Sequence, residues 1–237
     1  MKQFKIRCSA IGKIMTNGRG SNTMGKTAQS YCQNWLKEQI YNREKEFTSK
    51  QTDKGNINED EAIDFAADWF GWGLVFKNET RFEDDYKNGT PDLVLADLVP
   101  DIKCSWDWST FPLFDSDLPN KDYWWQLQGY MDLTGKKRAK VVYVLTDTPD
   151  HLIQREAVYY ARNNGYDPDD FDIYEMFRDK MTYPDTPKRF KIRSFDVEYD
   201  ADAVKSIHER VELCRDYIAE LEKSFVKNQK NPVIADS

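Results

Sequence analysis

Apolar residues recur at helical spacing along most of the chain, and shorter apolar runs separate these stretches. The spacing predicts helices over 9–16, 26–43, 57–70, 120–134, 150–164, 169–181 and 201–226. The shorter runs predict strands over 74–82, 92–98, 99–105, 139–146 and 188–199, with a tight turn around Pro100. The third helix should follow a polar linker over 49–56, and its inner face should consist of Ile57, Ala62, Phe65, Ala66 and Trp69.

The order of these elements predicts an α/β fold of the α+β type, with a central mixed sheet of about four to five strands flanked by helices. The length of 237 residues suits one domain. Apolar residues step by three and four along the last helix, and we expect this narrow seam to pack on its own domain. We divide the chain into a basic helical part, a core, a helical insertion, a strand with a long helix, and a frayed tail: 1–50, 55–146, 148–187, 188–226 and 227–237.

Composition indicates a soluble protein, because 32% of the residues are charged and the mean hydropathy is −0.79. No apolar run approaches the ~18 residues of a membrane-spanning helix, and the N-terminus lacks the apolar stretch of a signal peptide. We therefore expect a cytoplasmic protein without membrane contact. The four cysteines form no CxxC pair, which favours reduced thiols over a zinc or iron–sulfur site.

Charge is distributed unevenly around a net value of −7. Residues 1–36 carry six basic residues and no acidic one, whereas residues 55–118 hold fifteen acidic residues against four basic ones. A basic arm beside an acidic centre suits a protein that grips phosphates and holds divalent cations. Two ordinary solvated faces are the alternative explanation.

Two carboxylates and a lysine stand close together in the middle of the chain. Alternation along the third strand places Asp101 and Lys103 on one face and Ile102 on the other, toward the core. Asp92 opens the preceding strand, so a hairpin around Pro100 would bring it within reach of Asp101. The sequence therefore predicts that these charged groups converge at one strand edge.

Phosphodiester hydrolysis uses groups of this kind. Magnesium takes oxygen ligands and keeps several waters, so one or two carboxylates can hold it. Such a metal polarises the phosphate and lowers the pKa of an attacking water. Lys103 could act as a base only if its pKa fell far below the ordinary value. We favour an orienting, charge-stabilising role for this lysine.

Pro91-Asp92 followed by Asp101-Ile102-Lys103 resembles the PD-(D/E)XK nuclease signature. Other motifs, in the same order, resemble the phage lambda exonuclease and YqaJ-type viral recombinase family. These motifs are the helix start from Gly55 to Glu59, the helical stretch from Gln126 to Met131, Cys8-Ser9-Ala10 before a helix, and the strand and long helix over 188–226. The resemblance implies a restriction-endonuclease-like core, with 55–146 as its catalytic part.

The resemblance also implies roles for single residues around the metal. Asp92 would ligate both metals, while Asp101 and the backbone carbonyl of Ile102 would ligate the metal that activates water. Lys103 would contact the nucleophile. Glu59 would reach the metal or its water from the helix. This chain has aspartate at position 101, where close relatives often carry glutamate.

Further roles implied by the resemblance lie around this centre. Gln126 would brace Lys103 or the water. Ser9, together with Lys13 or Arg7, would bind a terminal 5′-phosphate, although Ser9 also suits a helix cap. The connection over 148–187 is longer than expected for the lambda enzyme.

The implied function is a metal-dependent 5′→3′ exonuclease on double-stranded DNA ends, which releases 5′-mononucleotides and leaves 3′ single strands. Its cofactor would be Mg²⁺, with Mn²⁺ as a substitute, and its partners would be DNA ends, a single-strand annealing protein and further copies of the chain in a trimeric ring. An endonuclease of restriction or repair type and a non-catalytic DNA-binding protein are the alternatives. Trp106 and Trp108 are candidates to stack on unpaired bases, with plain packing as their alternative.

Overall fold

A computed structural model describes residues 2–19, 23–44 and 50–230, with side chains described as far as residue 225. Parts of two predicted segments fall elsewhere. Residues 1, 20–22 and 45–49 of the basic helical part lie outside the described residues, as do residues 231–237 of the predicted tail.

The described ranges contain both strands and helices. The strands are β1 (Ile6–Arg7), β2 (Phe82–Glu83), β3 (Lys87–Gly89), β4 (Val99–Cys104), β5 (Arg138–Val144) and β6 (Ile192–Glu198). The α-helices are α1 (Ile11–Ile14), α2 (Lys26–Tyr41), α3 (Lys50–Phe70), α4 (Lys121–Thr134), α5 (Asp150–Asn164), α6 (Phe171–Met181) and α7 (Ala201–Lys230). Short 3₁₀ turns cover Cys8–Ala10 and Lys188–Phe190.

The strands form two mixed sheets. In the smaller sheet, β3 lies between β1, which is parallel to it, and β2, which is antiparallel. In the larger sheet, β5 lies between parallel β4 and antiparallel β6. The predicted α+β class and the long C-terminal helix are confirmed. The strand number per sheet is slightly lower than predicted, since the described ranges form two sheets of three strands each rather than one sheet of about four to five.

The predicted strands before β4 are wrong. Residues 92–98 form no strand, and only short pieces of the region around 74–89 do so. The chain instead turns between Leu95 and Leu98, whose backbone groups bond at 2.9 Å. Pro100 lies inside β4 rather than in a turn. A proline is tolerated there because β4 is an edge strand, where a missing N–H breaks no ladder.

Helices cover both faces of the larger sheet. Alternate residues of β5 point to opposite sides, so that Val141 packs in a core with α4 and α7 while Val142 packs in a second core with α3. The seam of α7 packs on its own chain, as expected, through buried Val204, Ile207, Val211, Cys214 and Ile218. Within the described residues, no helix is long and apolar enough to cross a membrane.

The third helix differs most from its prediction. It is already helical at Lys50, so most of the predicted polar linker is helix. Ile57 and Trp69 of the predicted inner face are 50% and 45% exposed. Ala62 and Ala66 of the predicted inner face are buried, and Phe65 packs against the same core. The buried face begins with two polar residues, Lys54 and Asn58, one turn apart, and also contains Ile63 and Ala67. An apolar pattern could not find the start of this face because its first two turns are polar.

Candidate active site

Strand β4 carries the first part of the site. Its register on β5 places Asp101 and Lys103 on the face covered by α4, while Ile102 packs in the core beside α3. Asp92 reaches the free edge of β4, because its Oδ2 accepts a hydrogen bond from the backbone N–H of Ile102 at 2.7 Å. The Asp92 carboxylate thus accepts a hydrogen bond that a neighbouring strand would otherwise accept at this edge of β4. The predicted approach of Asp92 to β4 therefore occurs without a hairpin.

Asp101 and Lys103 form a buried ion pair. Asp101 is 0% exposed, and its Oδ2 lies 2.7 Å from Lys103 Nζ but makes no hydrogen bond of good geometry. Burial raises the pKa of Asp101 to about 6; Lys103 opposes the rise, while the Asp92 carboxylate adds to it. Burial opposes the charge of Lys103, but Asp101 and Asp92 outweigh it and raise the pKa of this lysine. Lys103 is therefore a cation at neutral pH.

Helix α4 supports this pair from one side. Gln126 Nε2 donates to Asp101 Oδ1 at 3.0 Å and to the Tyr130 hydroxyl at 3.3 Å, and that hydroxyl donates to the carbonyl of Thr90 at 3.2 Å. Gln126 thus lies against Asp101, and not against Lys103 as one of its predicted roles required. Tyr130, one turn later, links α4 to the chain segment that leads to Asp92. Its role was not predicted.

Glu59 approaches from the other side, on α3. Its carboxylate forms an ion pair with Lys77 at 2.5 Å and lines the same cavity as Asp92. Lys77 follows an exposed Gly-rich stretch, and no sequence pattern pointed to it. Within the described residues, Glu59, Asp92 and Asp101 do not bring one oxygen each within 4.8 Å of the others. Glu59 therefore faces the site but stands apart from the other carboxylates.

Some of these residues line a cavity of about 490 Å³, which Asp101 and Gln126 do not line. Its lining includes Gly55, Glu59, Asp92, Ile102, Lys103, Trp106, Tyr123 and Tyr143. Lys103 Nζ lies 4.9 Å from the centre of the Tyr123 ring. Trp106, one of the two candidates for base stacking, lines this cavity, whereas Trp108 is 65% exposed and does not line it.

The predicted phosphate-binding residues lie outside this cavity. Ser9 and Lys13 are exposed, and Arg7 lines a second cavity of about 440 Å³. Helix α1 has only four residues, and Ser9 makes no cap hydrogen bond, so the predicted helix 9–16 is too long and Ser9 is not a helix cap. The second cavity is basic, and its cations are Lys2, Lys5, Arg7, Arg43 and Arg81, against Glu38 and Glu44.

The residues around Asp92 suit a divalent cation. Asp101 offers a buried oxygen without a hydrogen bond, and Asp92 uses only one oxygen on Ile102. The N–H and C=O of a strand residue face the same edge, so the carbonyl of Ile102 also points toward Asp92. Carboxylate and carbonyl oxygens are the ligands that Mg²⁺ and Mn²⁺ take. Asp92, Asp101 and Ile102 therefore fit the predicted metal.

A second acidic group lies elsewhere, between β3, α4 and α7. Asp84, Asp132 and His208 each bring one potential ligand atom within 4.8 Å of the others. The ammonium of Lys87 lies 2.5 Å from Asp84, 2.6 Å from Asp132 and 3.1 Å from His208 Nε2. In this structure the buried ammonium contacts all three potential ligands, so the group forms an ion-pair network.

Comparison with solved structures supports the fold. No protein-family model and no curated protein matches the sequence. Two solved proteins match the structure over nearly the whole chain. A phage-related exonuclease from Haemophilus somnus 129PT is 24% identical with a TM-score of 0.77, over 94% of this chain and 97% of that one. An alkaline exonuclease from Laribacter hongkongensis is 14% identical with a TM-score of 0.65, over 95% and 93%; the same enzyme has also been solved with dAMP at a TM-score of 0.63 and 16% identity, over 95% and 92%.

Proposed function

Because the chain has the fold of these phage-type exonucleases, we propose that it is a metal-dependent deoxyribonuclease that degrades double-stranded DNA from its ends in the 5′→3′ direction. The observation that carries the proposal is that Asp92, Ile102 and Lys103 line one cavity and that Lys103 pairs with the buried carboxylate of Asp101. Oxygen ligands and a fixed cation meet at one place there, as hydrolysis of a phosphodiester requires.

Each residue then has a definite task. Asp92, Asp101 and the Ile102 carbonyl would hold Mg²⁺ or Mn²⁺. When bound, the metal would polarise the phosphate and lower the pKa of the attacking water. Lys103 is charged, so it orients the water and stabilises the negative charge that develops on the phosphate oxygens. Gln126 fixes Asp101 by its hydrogen bond. Glu59 accepts a hydrogen bond from the attacking water.

The bond changes follow from this arrangement. The water oxygen attacks the phosphorus between the first and second nucleotides, and the P–O3′ bond breaks. The terminal nucleotide leaves with its own 5′-phosphate and a new 3′-hydroxyl, and the shortened strand keeps a 5′-phosphate. A dAMP molecule, which the related alkaline exonuclease has been solved with, is a nucleotide of this kind.

The basic cavity around Arg7 supports recognition of a 5′ end. Asn88 lines this cavity, and Asp92 lines the other. Four residues of extended chain span at most about 14 Å, and stacked nucleotides rise ~3.4 Å each along one strand. The two cavities are therefore close enough for one DNA strand to contact both. The exposed side chains of Ser9 and Lys13 would contact the same strand.

One assay tests the activity and its direction. A linear duplex labelled at either end, with a 5′-phosphate or a 5′-hydroxyl, is incubated with Mg²⁺, Mn²⁺ or EDTA. We expect cleavage only with metal, faster release from phosphorylated 5′ ends, and no cutting of circular duplex. Arg7→Ala together with Ser9→Ala should remove the preference for phosphate. Equal cutting of circular and linear duplex would favour the endonuclease alternative. The annealing partner and the ring-shaped trimer stay predictions from the resemblance.

A further inference from the structure

Lys54 is a buried cation without a task in the proposed chemistry. It lies on α3, five residues before Glu59, and is 0% exposed. Its ammonium donates to the backbone carbonyls of Trp106 and Thr146, each at 2.8 Å. Burial of an ammonium group is unfavourable unless its hydrogen bonds are replaced. These two hydrogen bonds therefore fix Lys54 and the two backbone carbonyls relative to each other.

Asn58 extends this attachment by one turn. Its amide donates to Thr146 Oγ1 at 2.8 Å and to the carbonyl of Asp147 at 2.6 Å. The two side chains thus join the first turns of α3 to the end of β5 and to the loop after β4. That loop contains Trp106, whose ring lines the same cavity as Asp92.

The helical insertion supports the same loop from outside. The ammonium of Lys50 lies 4.9 Å from the centre of the Trp106 ring and 2.7 Å from a carboxylate oxygen of Glu156 on α5. At the other end of the insertion, the Tyr183 hydroxyl accepts a hydrogen bond from the backbone N–H of Trp108 at 3.0 Å. The loop is therefore fixed on both sides, with Lys54 beneath it.

We propose that Lys54 is a positioning residue for the nuclease reaction, which fixes Trp106 as the wall against which the terminal nucleotide rests. This proposal rests on the proposed function. Lys54 is fully buried and does not line the cavity, so it would act through the backbone of Trp106. A displacement of that wall by about 1 Å would misplace the scissile phosphate relative to Lys103, and such errors lower kcat by up to about 100-fold.

A double-mutant cycle tests the proposal. We would measure kcat and KM of wild type, Lys54→Met, Trp106→Ala and the double variant on phosphorylated duplex, at a temperature where all four are folded. We expect each single change to lower kcat about tenfold or more and the double variant to be no slower than the slower single one, because both changes affect the same wall. Wild-type kcat in Lys54→Met, or multiplicative losses in the double variant, would overturn the proposal.

Matched variants separate positioning from folding. Lys188→Met removes an exposed lysine that pairs with Asp68 on the last turns of α3, and it should leave kcat unchanged. Lys54→Gln keeps two N–H donors on a side chain that is one atom shorter, so its kcat should lie between those of wild type and Lys54→Met. If Lys54→Met does not fold, the same cycle is run with Lys54→Gln.

A second measurement keeps this proposal distinct from the proposed function. Hydrogen exchange of the amides at 105–108 and 147–148 should be at least about tenfold faster in Lys54→Met than in wild type, because the loop loses its attachment. A wild-type protein that cleaves no DNA with either metal refutes the proposed function. Wild-type kcat together with unchanged hydrogen exchange in Lys54→Met would refute the positioning role alone.

Discussion

Helices α3 and α4 flank strand β4 but are held in place by different means. Helix α4 buries large apolar side chains, and its fully buried Gln128 is neutral; it bonds the carbonyl of Glu198 and the N–H of Asp200, each at 2.8 Å. The first turns of α3 bury a lysine and an asparagine, and alanines pack only later. Hydrophobic packing tolerates changes of pH, whereas a buried ammonium does not. The position of Glu59 on α3 should therefore depend more strongly on pH than the position of Gln126 on α4.

The largest expected effect lies on the strand between the two helices. Lys103→Met removes the cation proposed to stabilise developing charge, so we expect kcat to fall by about 10²–10³-fold, the range found when one such group is deleted. Lys140→Met on the adjacent strand β5 is the control, since Lys140 pairs with Asp196 and does not line the cavity. Single-turnover cleavage of labelled duplex measures the difference. Retained turnover in Lys103→Met would refute the assignment.

The second prediction compares the buried polar groups of the two helices. Lys54→Met and Gln128→Leu each leave two backbone groups without a hydrogen bond, so each should lower the free energy of unfolding by about 2–4 kcal/mol. Only Lys54 should make the loss depend on pH. Burial lowers its pKa to about 8, from an ordinary value of 10.5.

The sign of this dependence follows from proton binding. Between pH 8 and 10.5 the unfolded chain still holds the proton that folded Lys54 has released, so the stability contributed by Lys54 rises with pH and is lost as pH falls through 8. The neutral amine keeps two N–H donors for its two carbonyls. Urea unfolding at pH 7.5, 8.5 and 9.5 should show the deficit of Lys54→Met growing by up to about 1.4 kcal/mol per pH unit. A constant deficit, as expected for Gln128→Leu, would contradict the prediction.

The same contrast explains what could be predicted from the sequence. Short apolar runs predict β4 and β5, helical spacing of apolar residues predicts α4, and the spacing of Asp101 and Lys103 places both on one face. The start of the buried face of α3 escapes because Lys54 and Asn58 look like solvent-exposed residues until the carbonyls that they bind are known. The apolar run before β4 predicts a strand, and no pattern shows that Asp92 would instead bond the edge of β4 by its side chain. Lys77 meets Glu59 only through the path of an irregular loop.

The smallest effects concern one glycine on each helix. A Cβ on Gly129 of α4 would lie 2.6 Å from Ile11 Cδ1 and 2.9 Å from Cys8 Sγ, whereas a Cβ on Gly55 of α3 would meet nothing within 4 Å. Gly129→Ala should therefore overpack the core and destabilise the protein by about 1–3 kcal/mol. Gly55→Ala should stabilise the helix by about 0.5–1 kcal/mol, because alanine loses less backbone entropy on folding.

Activity should be impaired in Gly55→Ala, the more stable variant, and not in Gly129→Ala, the less stable one. Gly55 lines the cavity, so its open side is space for DNA, and a methyl group there should raise KM severalfold although the protein is more stable. Gly129 lies away from the cavity, and Gly129→Ala should keep the wild-type KM at temperatures where it is folded. Thermal unfolding and steady-state cleavage of the two variants give both quantities. If Gly55→Ala were more stable and bound duplex as wild type does, the DNA would not approach the first turns of α3, and the Trp106 side of the cavity would lose its proposed part in holding the nucleotide.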